Sequence, residues 1–368
     1  MRIARHLGLI ACVAGGTASG VEPEAGLEPL SVHLDLVPEW LGGSWTWRVA
    51  TDSGSEDLSG VFLPLRDLDF ADGERYLRPG GSQWDFLGVD EAEPVWILPQ
   101  SDNGSTWPGF ENGQSGVFGA YVESDPRVAG VAQPWIRIAL AGAEGPGEFS
   151  MFQFQSGAPV VWMATSDGVG PEDVFFLASP GHSHMNWTFS AKGVYRIELR
   201  AQAYLGPGAT NPTPAGEPVA VHFAVGARAA WRAEHFAAAT VMEESVAGDG
   251  ADPDGDLRPN LVEYAFGGDP LDPSPAKPGA GVPTGPELLL VEDGGERFPA
   301  LRFCRRIHED ADLSYAVEWS DSVSGEWMAG GVEMVAEALD DRWERVTVRD
   351  TRPLSGRRFG RVAVEALP

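Results

Sequence analysis

The chain has 368 residues, 43% of them hydrophobic, with 46 Gly and 29 Pro. That length allows two or three domains with real cores, and that composition fits neither a disordered chain nor a membrane bundle. Fifty-four acidic residues against 26 basic ones give a net charge of −28, which repels phosphate backbones and anionic lipid surfaces and removes nucleic acid from the partners to consider. The same acidity favours solvation and metal cations alike. With only two cysteines, Cys12 and Cys304, a thiolate cage is excluded, and any transition-metal site has to be built from His and carboxylate.

Residues 1–20 read as a secretory signal, with Arg2 and Arg5, the apolar run Leu7 to Val13, then small residues through Ser19. Cleavage near Ala18 is the preferred reading. Leu9-Ile10-Ala11-Cys12 also resembles a lipobox, which would make Cys12 a lipidated N terminus. The expected location is therefore exported: periplasmic, cell-surface or extracellular. No later stretch approaches the ~18–20 consecutive apolar residues of a spanning helix, so no transmembrane helix is expected after signal removal.

Residues 30–226 read as one mainly β domain, a β-sandwich or jelly roll of short strands separated by Gly/Pro turns. Ser31 to Leu36 alternates, with His33 and Asp35 on one face and Val32, Leu34 and Leu36 on the other. Trp45 to Val49 alternates again. Gly181 to Phe189 reads as a single strand that presents His182, His184 and Asn186 on one face and Met185, Trp187 and Phe189 on the other. In the next strand Tyr195, Ile197 and Leu199 face inward. Val219 to Val225 places His222 opposite Val221 and Phe223, which predicts a surface histidine.

The composition shifts after Gly226. Residues 227–273 are expected to form a connector, a helix over Ala227 to Val246 followed by an acidic calcium-loop segment. Residues 274–286 are a Pro/Gly linker, and residues 287–368 a small C-terminal β-sandwich.

Two two-residue motifs carry the first candidate chemistry. His33-x-Asp35 and His182-x-His184 each present both side chains to one side of a predicted strand. If those strands are neighbours, four N/O donors meet, a set suited to a divalent transition metal with zinc leading. Asn186 would be a fifth donor or a partner that fixes a ring tautomer. A closed four-donor set points to a carrying or structural role, because a catalytic zinc keeps one position open.

His33-Leu-Asp35 followed by Gly43-Ser44-Trp45, Phe86-Leu87-Gly88, Pro94-Val95-Trp96-Ile97-Leu98-Pro99-Gln100, Gly145-Pro146-Gly147-Glu148-Phe149, and then His182-Ser-His184-Met-Asn186-Trp187-x-Phe189 with Gly193-Val194-Tyr195 resembles the choice-of-anchor M domain, a family that includes the actinobacterial surface-anchored protein domain. The resemblance spans about residues 30–226. It implies an exported bacterial protein held at the surface, in some relatives associated with metal uptake, and it implies a metal at His33, Asp35, His182 and His184.

Asp252-Pro-Asp254-Gly-Asp256-Leu-Arg258-Pro-Asn260-Leu-Val-Glu263 carries the second. Oxygen side chains fall at loop positions 1, 3, 5, 9 and 12, the spacing of an EF-hand-type calcium loop, with the Arg258 carbonyl at position 7. The segment is similar to the calcium-loop motifs related to dockerin and thrombospondin type 3 repeats. Position 6, normally Gly, is Leu257, where a left-handed backbone would cost on the order of 1–2 kcal/mol. The rival reading is a rigid linker with solvated acids.

Trp40, Trp45, Trp47, Trp84, Trp96 and Trp107 could line a sugar-binding cleft, but core packing is the favoured role for these aromatics. No nucleophile elbow, H-E-x-x-H, P-loop or dinucleotide fingerprint is present, and no catalytic residue can be assigned. The expected function is a non-enzymatic exported metal- and calcium-binding protein whose partners are metal ions and cell-surface proteins or glycans. A carbohydrate-binding secreted protein is the alternative, and a zinc-dependent hydrolase using the four metal residues is the second.

Overall fold

The computed structural model describes residues 7–8, 26–30, 33–52, 54–65, 76–274, 285–307, 311–340 and 342–367. Of the expected signal sequence only Leu7–Gly8 lies among them, and most of the expected linker (275–284) lies outside them. The protein is mainly β, as its turn-rich composition predicts, and it divides into two compact units, Gly26–Ala238 and Ala239–Pro368 with Met1–Ala25.

The strands of the first unit include β1 (Leu34–Leu41), β2 (Ser44–Thr51), β3 (Gly54–Glu56), β4 (Val61–Leu65), β5 (Tyr76–Leu77), β6 (Pro94–Leu98), β7 (Pro108–Asn112), β8 (Trp135–Glu144), β9 (Phe149–Gln155), β10 (Ala158–Ala164), β11 (Val174–Ala178), β12 (Gly181–His184), β13 (Asn186–Phe189), β14 (Gly193–Leu205) and β15 (Val219–Val225). They form three main sheets, ordered β12-β7-β1-β2-β3, β10-β9-β13-β6-β5 and β11-β8-β14-β15-β4. Alternation along each strand sends one set of side chains into a shared core. Leu34, Leu36 and Phe110 enter it from the first sheet, Met151, Trp187 and Phe189 from the second, and Ile138, Tyr195, Ile197 and Phe223 from the third.

The stretch expected to be one strand from Gly181 to Phe189 is two. It breaks at the fully buried Met185, and β12 and β13 belong to different sheets. The histidines thus lie on the edge strand of the first sheet, while Trp187 and Phe189 lie in the second.

Helix α1 (Ala227–His235) belongs to the first unit and packs against β4, β14 and β15. It is shorter than the expected span to Val246, because Phe236 leaves the helical conformation (φ −114°, ψ 136°) and buries its ring. The same helix corrects the expectation for His222. The strand face opposite Val221 and Phe223 is covered by α1 rather than by solvent, and His222 is 3% exposed.

The second unit contains α2 (Asn260–Phe266), β16 (Glu287–Asp293), β17 (Glu296–Arg306), β18 (Leu313–Ser320), β19 (Val332–Ala338), β20 (Trp343–Arg349) and β21 (Phe359–Ala366). One sheet runs β16-β17-β20-β19, and the other pairs β18 with β21. Leu301, Phe303, Val346 and Val348 from the first sheet meet Trp319, Val362 and Val364 from the second. Leu261, Val262, Ala265 and Phe266 of α2 complete that core, and Gly267 ends the helix in the left-handed conformation. The acidic loop is therefore attached to this unit by a buried helix, and the expected 227–273 connector divides between the two units. Among the described residues no helix is long and apolar enough to cross a membrane.

Candidate functional site

The His33/Asp35 and His182/His184 segments are not hydrogen-bonded neighbours. β7 lies between them, parallel to β1 and antiparallel to β12, with Asp35 and His184 both in register with Gly109. A Cβ at position 109 would stand 2.6 Å from both Asp35 Oδ1 and His184 Nδ1. Only a residue without a side chain leaves room for groups from the two flanking strands to meet over the middle one. His33 stands immediately before β1 rather than within it.

The four residues offer one donor atom each within 4.8 Å of one another. His182 Nε2 is 2.9 Å from His184 Nε2 and 3.0 Å from Asp35 Oδ1. His33 Nε2 is 3.2 Å from His184 Nε2 and 3.6 Å from Asp35 Oδ2, and His184 Nε2 is 3.7 Å from Asp35 Oδ1. Donors bound tetrahedrally at zinc distances are separated by about 3.3 Å, so these contacts have the edge lengths of a metal-ligand tetrahedron.

Protons on neutral rings leave part of the cluster unsatisfied. Each imidazole Nε2 offers either one in-plane hydrogen or one lone pair. With Asp35 ionised, His182 Nε2 donates to it and cannot also accept from His184. In a neutral His33, donation from Nδ1 to Asp52 Oδ1, 3.0 Å away, leaves the lone pair on Nε2, the arrangement that partners of metal-binding histidines select. A cation among the four groups meets lone pairs from all of them. Burial, the leading cause, together with the neighbouring His182 and His33, lowers the pKa of His184, while Asp35 opposes the shift; the neutral ring required of a ligand is thereby favoured.

The cluster is asymmetric in its access to solvent. The Asp35 and His184 side chains are buried, whereas the His182 side chain is 47% exposed. Trp107 stacks on His33 with ring centres 4.2 Å apart and lies 4.3 Å from the His184 ring, forming an apolar wall. Its ring is half-buried beside the histidines.

Asn186 does not join the group. It begins β13 in the second sheet, its Oδ1 accepts from the Gln100 backbone N–H at 3.0 Å, and its Nδ2 donates to Gln100 Oε1 at 2.9 Å. The strand break at Met185 separates it from the two histidines. Of the remaining tryptophans singled out in the sequence, Trp84 and Trp96 are buried, and Trp40, Trp45 and Trp47 pack partly buried against the main core.

In the acidic loop Asp252, Asp254 and Asp256 likewise bring one oxygen each within 4.8 Å of the others. Asp252 accepts from the backbone N–H groups of Gly255 and Leu257, Asp254 from Asp256, and Asp256 from Arg258. Leu257 adopts φ +73°, the left-handed turn that position 6 of a calcium loop requires, with its side chain 81% exposed. Glu263 is 1% exposed, and among the described residues neither of its carboxylate oxygens has a hydrogen-bond partner. Burial, reinforced by Asp254 and Asp256, pushes its pKa up to about 9, and burial also leads the rise of Asp254 to about 6. A buried carboxylate without a hydrogen bond, beside three more acids and with one guanidinium 3.8 Å from Oε1, is costly unless a further cation joins them.

Asn260 is buried in the first turn of α2, where its Nδ2 donates to the carbonyls of Val246 and Gly248 and its Oδ1 has no partner. The side chain of Arg258, expected to matter only through its carbonyl, turns into the acid cluster and contacts Asp256.

Sequence reasoning missed Gly109, Trp107 and Asp52 as parts of the histidine site. The segment Pro108-Gly109-Phe110-Glu111-Asn112 has a proline and a glycine where a strand is usually interrupted, so its pairing role carried no local signal. No protein-family model matches the chain, and no curated protein matches it.

Proposed function

We propose that this is an exported, non-enzymatic bacterial surface or periplasmic protein that binds a divalent metal through His33, Asp35, His182 and His184, and carries a calcium-stabilised loop at Asp252–Glu263. The observation that carries the metal reading is the convergence of three imidazole Nε2 atoms on one buried carboxylate at ligand-edge distances. Three nitrogens and one oxygen suit zinc best among abundant divalent ions. The resemblance to the choice-of-anchor M domain supports the export and surface assignment, with surface proteins or glycans as the partner class.

The test is elemental analysis of purified protein beside a His182→Ala/His184→Ala variant. The wild type is expected to carry close to one equivalent of zinc or another first-row metal, and the variant none. Equal and negligible zinc, manganese, copper and iron in both would remove the reading.

A second reading, a zinc hydrolase on the same four residues, draws on the exposure of His182, which leaves one side of the centre open to water. It requires turnover of ester, peptide or phosphoester substrates by the zinc-loaded wild type that the double variant lacks.

A further inference from the structure

Arg258 stands at position 7 of the acidic loop, where a calcium loop uses the backbone carbonyl and leaves the side chain free. Here the side chain is folded back and largely covered, with 24% of it exposed. Its Nη2 contacts the Asp256 carboxylate, lies 3.8 Å from Glu263 Oε1, and reaches the carbonyls of Pro273 at 3.5 Å and Ser274 at 3.2 Å. Its Nε is buried and has no partner among the described residues. The guanidinium is thus held from both sides, by two acids of the loop and by two carbonyls of the chain that follows α2.

We infer that Arg258 is an internal counter-cation that sets the calcium affinity of the loop by competing for Asp256 and Glu263. The inference rests on the calcium reading above, which stands independently on the wholly buried Glu263 carboxylate, whose oxygens accept no hydrogen bond from the described residues, beside the three aspartates. Asp252, Asp254, Asp256 and Glu263 together carry four formal negative charges when ionised, and Arg258 offsets one of them. A calcium ion entering the cluster meets a fixed positive charge a few ångströms away and has to share two of its acids with it. Like-charge repulsion at that range and a partly screened dielectric changes an affinity by on the order of tenfold. A planar fork that two backbone carbonyls hold in place cannot simply swing into water, as an unanchored arginine would.

Calcium titration calorimetry on the full chain separates the possibilities, using wild type, Arg258→Gln and Arg258→Lys, each first stripped with chelator and checked by its melting curve. Arg258→Gln keeps polar reach but loses the charge, and is expected to bind calcium about tenfold more tightly than wild type. Arg258→Lys keeps the charge and is expected to remain close to wild type, which guards against an effect of side-chain shape alone. Equal affinity in all three, or weaker binding by Arg258→Gln in a folded protein, would overturn the role of Arg258 and leave the calcium site standing. No heat with calcium in any of the three would remove the calcium site and this inference with it.

Discussion

Asp35 and His184 approach each other across Gly109, with which each is in register from opposite sides of β7. The glycine is thereby as much a part of the centre as the groups it separates. Gly109→Ala places a methyl group 2.6 Å from an atom of each, and since both are ends of side chains, they rather than the backbone will give way. The variant is expected to fold and to lose metal affinity by on the order of tenfold to a hundredfold, the range found when the support of a ligand set is disturbed. Competition against a chromogenic zinc chelator reads it out. Unchanged affinity would mean that Asp35 and His184 do not hold the same ion.

Asp52 acts on His33 from outside the cluster. Its carboxylate accepts from Nδ1 at 3.0 Å and leaves Nε2 as the lone-pair nitrogen. Because the Asp52 side chain is 78% exposed, the effect of Asp52→Ala belongs at the low end for such partners, about a tenfold loss of affinity. Asp52→Asn retains an acceptor and is expected to recover most of it. The chelator competition distinguishes them, and a loss of the same size in both variants would count against orientation of the ring.

The sequence pattern carried the His33/Asp35 and His182/His184 pairs but not the strand between them. Period-two spacing is sufficient to put His182 and His184 on one face, because both lie on β12. It does not show that the chain changes sheets at Met185, since a buried methionine fits the inward face of either sheet, and so the pattern alone places Asn186 beside the histidines. β7 stayed hidden because Pro108 and Gly109 argue locally against a strand, while its pairing with β1 and β12 is set by residues 69 to 75 positions apart in the chain. The acidic loop was legible because its donors lie within twelve consecutive residues. Even there the left-handed Leu257 looked like an obstacle, and the structure adopts that conformation with the side chain in solvent. His222 failed for the opposite reason: alternation identified its face correctly, but not the helix that covers the face.

Glu263 is expected to destabilise the metal-free protein and to stabilise the calcium-bound one. Its carboxylate is buried without a hydrogen bond from the described residues, so Glu263→Gln in excess chelator should raise the melting temperature by several degrees, corresponding to relief of about 1–3 kcal/mol. Millimolar calcium should raise the melting temperature of the wild type and leave that of the variant nearly unchanged, because an ion that binds only the folded state stabilises it by mass action. Differential scanning calorimetry in the two buffers gives all four values. Parallel calcium shifts in the two proteins would show that Glu263 is not a ligand.

His222 is expected to make the first unit sensitive to mild acid. Burial, with a smaller contribution from Arg196, lowers its pKa to about 4, and neither ring nitrogen has a hydrogen-bond partner among the described residues. The unfolded chain takes up a proton near pH 6.5, whereas the folded protein does so only near pH 4. The associated stability is therefore fully present above pH 6.5 and lost as pH falls towards 4. At about 1.4 kcal/mol per pH unit the loss from this one group approaches about 3 kcal/mol. His222→Leu removes the titrating ring and fills the same space under α1. Urea denaturation of both proteins at pH 7.0, 5.5 and 4.5 should show two stability curves that diverge as the pH falls, with the wild type losing more. Curves that stay parallel across that interval would mean that His222 is protonated in the folded state and that α1 does not exclude water from it.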